Sequence, residues 1–245
     1  YLYEDGVDRR EILSMLDIIA EDDKELFETE VIAEHIRRST QVQVQKRLYS
    51  IAGRVVGPQG RPESASALFG VIQDDLTYSD TGDDPTQSDL QKTRSHILYI
   101  LYSAANNGVE IPSQVLEELY SSILEYPALR NYQFTVNIFG TIIANDSDNA
   151  NRATEIPIEL STLGEETERH LWFKKHATAE LAELLDEGEI SDSSDVNRIE
   201  KIIEQNRELL EAEKPAEVSS DSSDKGLLER LLGIGRNGGD EENKY

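Results

Sequence analysis

One pattern constrains this chain more than any other. Ten-residue stretches of similar apolar layout recur at Val7–Leu16, Val44–Gly53, Thr93–Tyr102, Asn131–Gly140 and Phe173–Ala182. Their last positions advance in steps of 37, 49, 38 and 42 residues. In the second stretch Val44, Leu48 and Ile51, continued by Val55, fall four, three and four apart, which places them on one stripe of a helix. The seventh step after each start reads Ser14, Ile51, Ile100, Ile138 and Glu180, and the eighth reads Met15, Ala52, Leu101, Phe139 and Leu181. Ser14, Tyr102 and Glu180 depart from their columns. A period of about forty residues holds two helices and two turns, and such a pair cannot hide its apolar stripe alone, so neighbouring pairs must stack.

Caps and breakers divide the chain into helices. Asp8 with Glu11 opens a first helix running to about Ala20. Asp22-Asp23 starts a second, Lys24 to Arg38, carrying Phe27, Val31, Ile32 and Ile36. The stretch Gln41 to Val56 is a third, ended by the turn cluster Gly57 to Pro62. A helix with Ala67, Leu68, Val71 and Ile72 follows, then a polar insertion from Tyr78 to Ser88. Thr86 caps the next helix, and Asn106-Asn107-Gly108 gives it a left-handed stop. Pro112-Ser113 and Pro127 open two more. Pro157 predicts a short or irregular segment between Ala153 and Thr162, before a long helix from Glu165 to Asp186. The expected division is residues 1–190 as helical repeats, 191–212 as a terminal capping helix, and 213–245 as an acidic tail too polar to order itself, with a short apolar helix at 226–234.

Val44-Gln-Lys-Arg-Leu-Tyr-Ser-Ile-Ala-Gly53 resembles the second helix of a HEAT repeat, with a branched apolar residue, basic residues, small residues and a terminal glycine. Leu129-Arg-Asn-Tyr-Gln-Phe-Thr-Val-Asn-Ile-Phe-Gly140 is similar. The resemblance to HEAT and armadillo-like proteins covers roughly residues 7–190. It implies an all-α fold, an α-solenoid of stacked antiparallel helix pairs whose second helices line a concave face. The first stretch looks like a second helix without its partner, as in a chain taken from a longer array.

The 24 Lys and Arg stand against 49 Asp and Glu, a net charge of −25. Such acidity suits either a basic partner or a cytoplasm at very high salt, and the composition resembles that of proteins from salt-loving archaea. At molar salt the Debye length is about 3 Å, so self-repulsion becomes tolerable. Cysteine is absent, which excludes a disulfide framework and a thiolate metal site. No apolar run reaches the length of a membrane-spanning helix. The chain begins with Tyr1 and no signal peptide follows, so a cytoplasmic protein is expected.

Catalytic chemistry is hard to assemble from these residues. There is no Gly-x-Ser-x-Gly elbow and no phosphate loop. His35, His96, His170 and His176 show no metal-binding spacing. Asp146-Ser-Asp148 begins like a calcium loop but has Asn151 and Pro157 where glycine and glutamate are needed. Asp80, Asp83 and Asp84 read as solvated loop acids, and Trp172 as a packing residue. No cofactor, metal or catalytic residue is expected.

One charge pattern stands out. The third helix carries Lys46, Arg47 and Arg54 without an acid, and the later matching helices carry Arg94 and Arg130. A less acidic concave groove in an acidic protein suits an acidic peptide or a nucleic acid. The segment Gly226-Leu-Leu-Glu-Arg-Leu-Leu-Gly-Ile234 places Leu227 and Leu231 on one helix face, able to dock in a groove. The expected function is therefore a non-catalytic scaffold that binds a protein partner, contacted by Lys46, Arg47, Arg54, Arg94, Arg130, Leu227 and Leu231. Nucleic-acid binding or processing along the same groove is the alternative.

Overall fold

The computed structural model describes residues 9–57, 60–76, 87–125, 129–145, 148–164 and 168–211. Among them there is no strand. Eleven α-helices are present among the described residues: α1 (Arg9–Asp22), α2 (Thr29–Arg38), α3 (Val42–Val55), α4 (Phe69–Leu76), α5 (Gln87–Asn106), α6 (Ser113–Glu125), α7 (Leu129–Ala144), α8 (Ala150–Ser161), α9 (Glu168–Asp186), α10 (Ser193–Gln205) and α11 (Arg207–Glu211). Short 3-10 segments cover Lys24–Leu26 and Pro62–Leu68. No helix among the described residues is long and apolar enough to cross a membrane.

Two successions of packed helices account for most of the burial. α1, α3, α5, α7 and α9 each pack on the next, and so do α2, α4, α6, α8 and α10. α2 lies against α3, α8 against both α7 and α9, and the 3-10 segment Pro62–Leu68 bridges α2 and α5. From α3 onward the apolar columns of the sequence are the inward stripes of the first succession, whereas Met15 in the first stretch is 57% exposed. Ile51, Ile100, Ile138, Ala52, Leu101, Phe139 and Leu181 are all buried in one continuous core. Burying a large apolar side chain in this way stabilises the fold by roughly 1.5 to 3 kcal/mol.

The glycines that close two of the ten-residue stretches make room for the next helix of their succession. A Cβ on Gly53 would stand 3.3 Å from the Tyr99 ring of α5, and one on Gly140 would stand 1.8 Å from Oε1 of Glu180 on α9. Two other glycines serve the backbone. Gly108 and Gly188 adopt φ of 69° and 78°, ending α5 and α9 in the left-handed region that favours glycine. Each turn closes with the same pair of bonds: Gly108 N to Ala105 O and Val109 N to Ala104 O, then Gly188 N to Leu185 O and Glu189 N to Leu184 O.

Polar side chains tie segments that lie roughly one period apart. Ser103 Oγ donates to the Val56 carbonyl at 2.7 Å, across 47 residues. Asn145 Nδ2 donates to Ala105 O at 2.7 Å, and Asn149 Nδ2 to Ile111 O at 2.8 Å. Buried Asn206 donates to Ser161 O at 3.0 Å and Thr178 Oγ1 at 2.9 Å. Arg198 grips both oxygens of Glu155 at 2.7 and 2.9 Å. Within the first part of the chain, Tyr49 is wholly buried and donates to Asp75 at 2.6 Å, joining α3 to α4. Burial pushes the Asp75 carboxyl above its usual range and the Tyr49 hydroxyl further still, so this pair stays a neutral-to-charged hydrogen bond rather than losing both protons.

Three expectations are corrected. The stretch Lys24 to Arg38 is not one helix. A 3-10 turn at Lys24–Leu26 gives way to extended backbone at Phe27 and Glu28 before α2 begins. The carbonyls exposed by that break accept from Arg61: Phe27 O directly, and Lys24 O at 3.3 Å. Pro157 does not shorten its segment, because α8 runs unbroken through it and buries the ring. Only one backbone bond is forfeited there, since proline lacks the N–H that would reach Ala153. Residues 191–212 hold two helices, with a bend at Asn206, whose side chain is committed to Ser161 and Thr178. The Asp8 cap, the Tyr78–Ser88 insertion up to Thr86, Asp80, Asp83, Asp84, Pro127, Asp146 and the tail from 212 to 245 lie outside the described residues.

Candidate functional site

Two of the expected partner-binding arginines, Arg47 and Arg54, pair with acids of α1. Asp17, on α1, is mostly buried and lies 3.1 Å from Arg54 and 3.5 Å from Arg47. Ser50 Oγ donates to the Asp17 oxygen that Arg54 approaches, at 3.4 Å, and Arg54 also pairs with Glu21 at 3.0 Å. His96 of α5 sits behind this group. Burial lowers its pKa to about 4, Asp17 opposes that shift, and Lys46, Arg54 and Arg47 add to it. Lys46 and Arg94 are half-buried. The Arg130 side chain lies outside the described residues, as do Leu227 and Leu231. The structure thus brings Arg47 and Arg54 to a single aspartate, with His96 within electrostatic reach of all three. Their charge is spent partly inside the protein.

A concavity lies further along the same succession of helices. α5, α7 and α9 line an open cavity of about 400 Å³. α9 lines it with His176, Glu180 and Glu183, continued by Glu187 in the turn that follows, spaced three and four apart. α7 contributes Asn137, Gly140 and Thr141, and α5 contributes Tyr102. Buried Val136 and Leu184 close the apolar side. The Thr141 hydroxyl donates to the Asn137 carbonyl at 2.8 Å, which leaves its oxygen lone pairs for the cavity. Beside the cavity the His176 ring rests on Trp172, with centroids 3.9 Å apart.

Glu180 is the unusual member. Its carboxylate lies in the space that a side chain on Gly140 would fill. Burial, then Glu183 and Glu187, raise its pKa to about 7. No Lys or Arg is among the described residues of the cavity lining. In the aligned columns Glu180 stands where Ile51, Ile100 and Ile138 stand, all of them fully inside the core. A carboxylate in an isoleucine column was the sequence signal for this site, and treating it as a poor match hid it.

Besides Glu180, the lining brings His176, Glu183 and Glu187 together with the polar groups of Asn137 and Thr141. Trp172 stacks beside the cavity and is not part of its wall. No cluster of three or more His, Asp or Glu among the described residues is placed to hold a metal ion. Taken together, the site is shaped and charged to hold a small cationic group: an apolar wall for a methylene stem, and carboxylates and lone pairs for the charge. No family model, curated protein or solved structure matches this chain.

Proposed function

We propose that this protein is a non-catalytic binding scaffold, a HEAT-like α-solenoid that holds a protein partner along the face formed by α1, α3, α5, α7 and α9. Three features support the repeat reading. Alternate helices pack in succession, polar ties join residues roughly one period apart, and the turns after α5 and α9 close identically. The observation that carries the binding reading is the α5–α7–α9 cavity, lined by Glu180, Glu183 and Glu187 with no Lys or Arg among the described residues of its wall. It fits the lysine or arginine side chain of a partner. Lys46, Arg47, Arg54 and Arg94 lie on α3 and α5, and a partner's acids would compete with Asp17 and Glu21 for Arg47 and Arg54. The same two acids weaken the case for a nucleic acid, whose phosphates would meet them first.

The test uses n-butylammonium and acetyl-arginine amide as probes, followed by amide chemical shifts of the full chain. Shifts at Gly140, Thr141 and Glu180 that vanish in Glu180→Gln are expected. At pH 6 binding should also release protons, because a bound cation favours the ionised carboxylate. Shifts of equal size in the variant, or none in either protein, would discard the cavity as an anchor.

A further inference from the structure

The outer side of α1 is the second place where this molecule presents unfinished chemistry. The helix turns Leu13 and Ala20 to the core, with Ile12 and Leu16 packed beside them. Its opposite stripe carries Met15, Ile18 and Ile19, which are 57%, 62% and 37% exposed. These positions are three and four apart, so they form one continuous apolar strip. Leu26, 68% exposed, follows in the 3-10 turn at the C-terminal end of α1. Scattered single apolar residues are ordinary on a surface, but a strip aligned along one helix is not.

The charged residues that follow the strip in the chain, within 21–30, are almost all acidic. Glu21, Asp22, Asp23, Glu25, Glu28 and Glu30 are all exposed, and Lys24 is the sole base among residues 21–30. Glu21 is paired with Arg54 and Glu30 accepts from Thr29. Asp22, Asp23, Glu25 and Glu28 have no ion-pair or hydrogen-bonding side-chain partner among the described residues. An apolar centre with an acidic border selects among occupants. A second copy of this strip would bring the same acids face to face, and an anionic lipid surface would be repelled by them.

We infer that the Met15–Ile18–Ile19 strip of α1, with its acidic border, is a docking surface for a basic amphipathic helix of a partner protein. The partner's leucines or isoleucines at i, i+3 and i+4 cover the strip, and its lysines or arginines meet Asp22, Asp23, Glu25 and Glu28. Burial of the strip supplies the affinity, and the charges supply orientation and the rate of encounter. The surface is built on α1 and is independent of the cavity on α5, α7 and α9.

The experiment compares two synthetic fourteen-residue helices that share one leucine stripe, one with lysines and the other with glutamates on the polar face. Both are titrated into the full chain by calorimetry at about 0.15 M salt, where the Debye length is about 8 Å. The lysine helix is expected to bind, and the glutamate helix is not. Met15→Gln with Ile18→Gln should weaken the lysine helix at least tenfold, and Asp22→Asn with Asp23→Asn severalfold. These positions are exposed, so circular dichroism should remain that of the parent. Three results would overturn the proposal. One is lysine-helix binding that ignores the Met15 and Ile18 changes, which would be attraction to net charge alone. Another is equal binding of both helices. The last is a strip already protected in the free chain, by hydrogen exchange or by self-association on sedimentation.

Discussion

Two titrating side chains with opposite leanings define the residue scale. Glu180 has a folded pKa of about 7, above its unfolded value, so its contribution is present at low pH and is lost as pH rises through about 7. His96 has a folded pKa of about 4, below its unfolded value, so its contribution is present above the ordinary histidine range and is lost as pH falls toward 4. Between these limits the two effects partly cancel, and the parent protein should show a flat stability profile. Glu180→Gln removes one of them. Urea unfolding of that variant should show stability rising with pH from 4.5 to 7. At pH 8 it should exceed the parent by roughly 1 to 2 kcal/mol, after allowance for solvent screening in an open cavity. An unchanged pH profile would mean that Glu180 is ionised without cost where it lies.

At the scale of elements, the chain was legible where local chemistry decided and illegible where a distant side chain did. α3, α5, α6 and α7 follow from their apolar stripes, and Gly108 ends α5 as its sequence predicts. The break at Phe27 and Glu28 did not follow, because Lys24, Glu25, Leu26, Glu28 and Glu30 are good helix formers and the carbonyls released there are met by Arg61, 34 residues beyond Phe27. Asn206 bends the last described segment for the same kind of reason, a bond to Ser161 across 45 residues. The cavity was half-legible: its acids stand in the sequence, but the clearance above Gly140 exists only once α7 and α9 meet. Pro157 gives the element-scale prediction. Restoring the missing N–H with alanine relieves a helix-interior penalty of about 3 kcal/mol, and the lost burial of the ring gives back about half or more. Pro157→Ala should therefore raise stability by about 1 kcal/mol in urea unfolding. A loss of more than that amount would show that the ring's packing outweighs the backbone bond.

For the whole molecule, charge is the governing quantity. A net charge of −25 on 245 residues repels itself in dilute buffer, and the ion pairs of Arg37, Arg38, Arg152, Arg198 and Arg207 with nearby glutamates offset only part of it. Raising potassium chloride from 0.1 M to 2 M shortens the screening length severalfold and should lift the thermal midpoint by roughly 5 to 10 °C. A midpoint that stays level or falls would show that the internal ion pairs matter more than the overall repulsion, and would remove the support for a protein suited to concentrated salt. The paired endings of α5 and α9 carry a consequence of a different kind. Gly108 and Gly188 are the same joint, and the block of chain from one to the other begins and ends on it. Tandem duplication of that block would need no new corner to be invented, so an ancestor of this molecule had a direct way to grow longer.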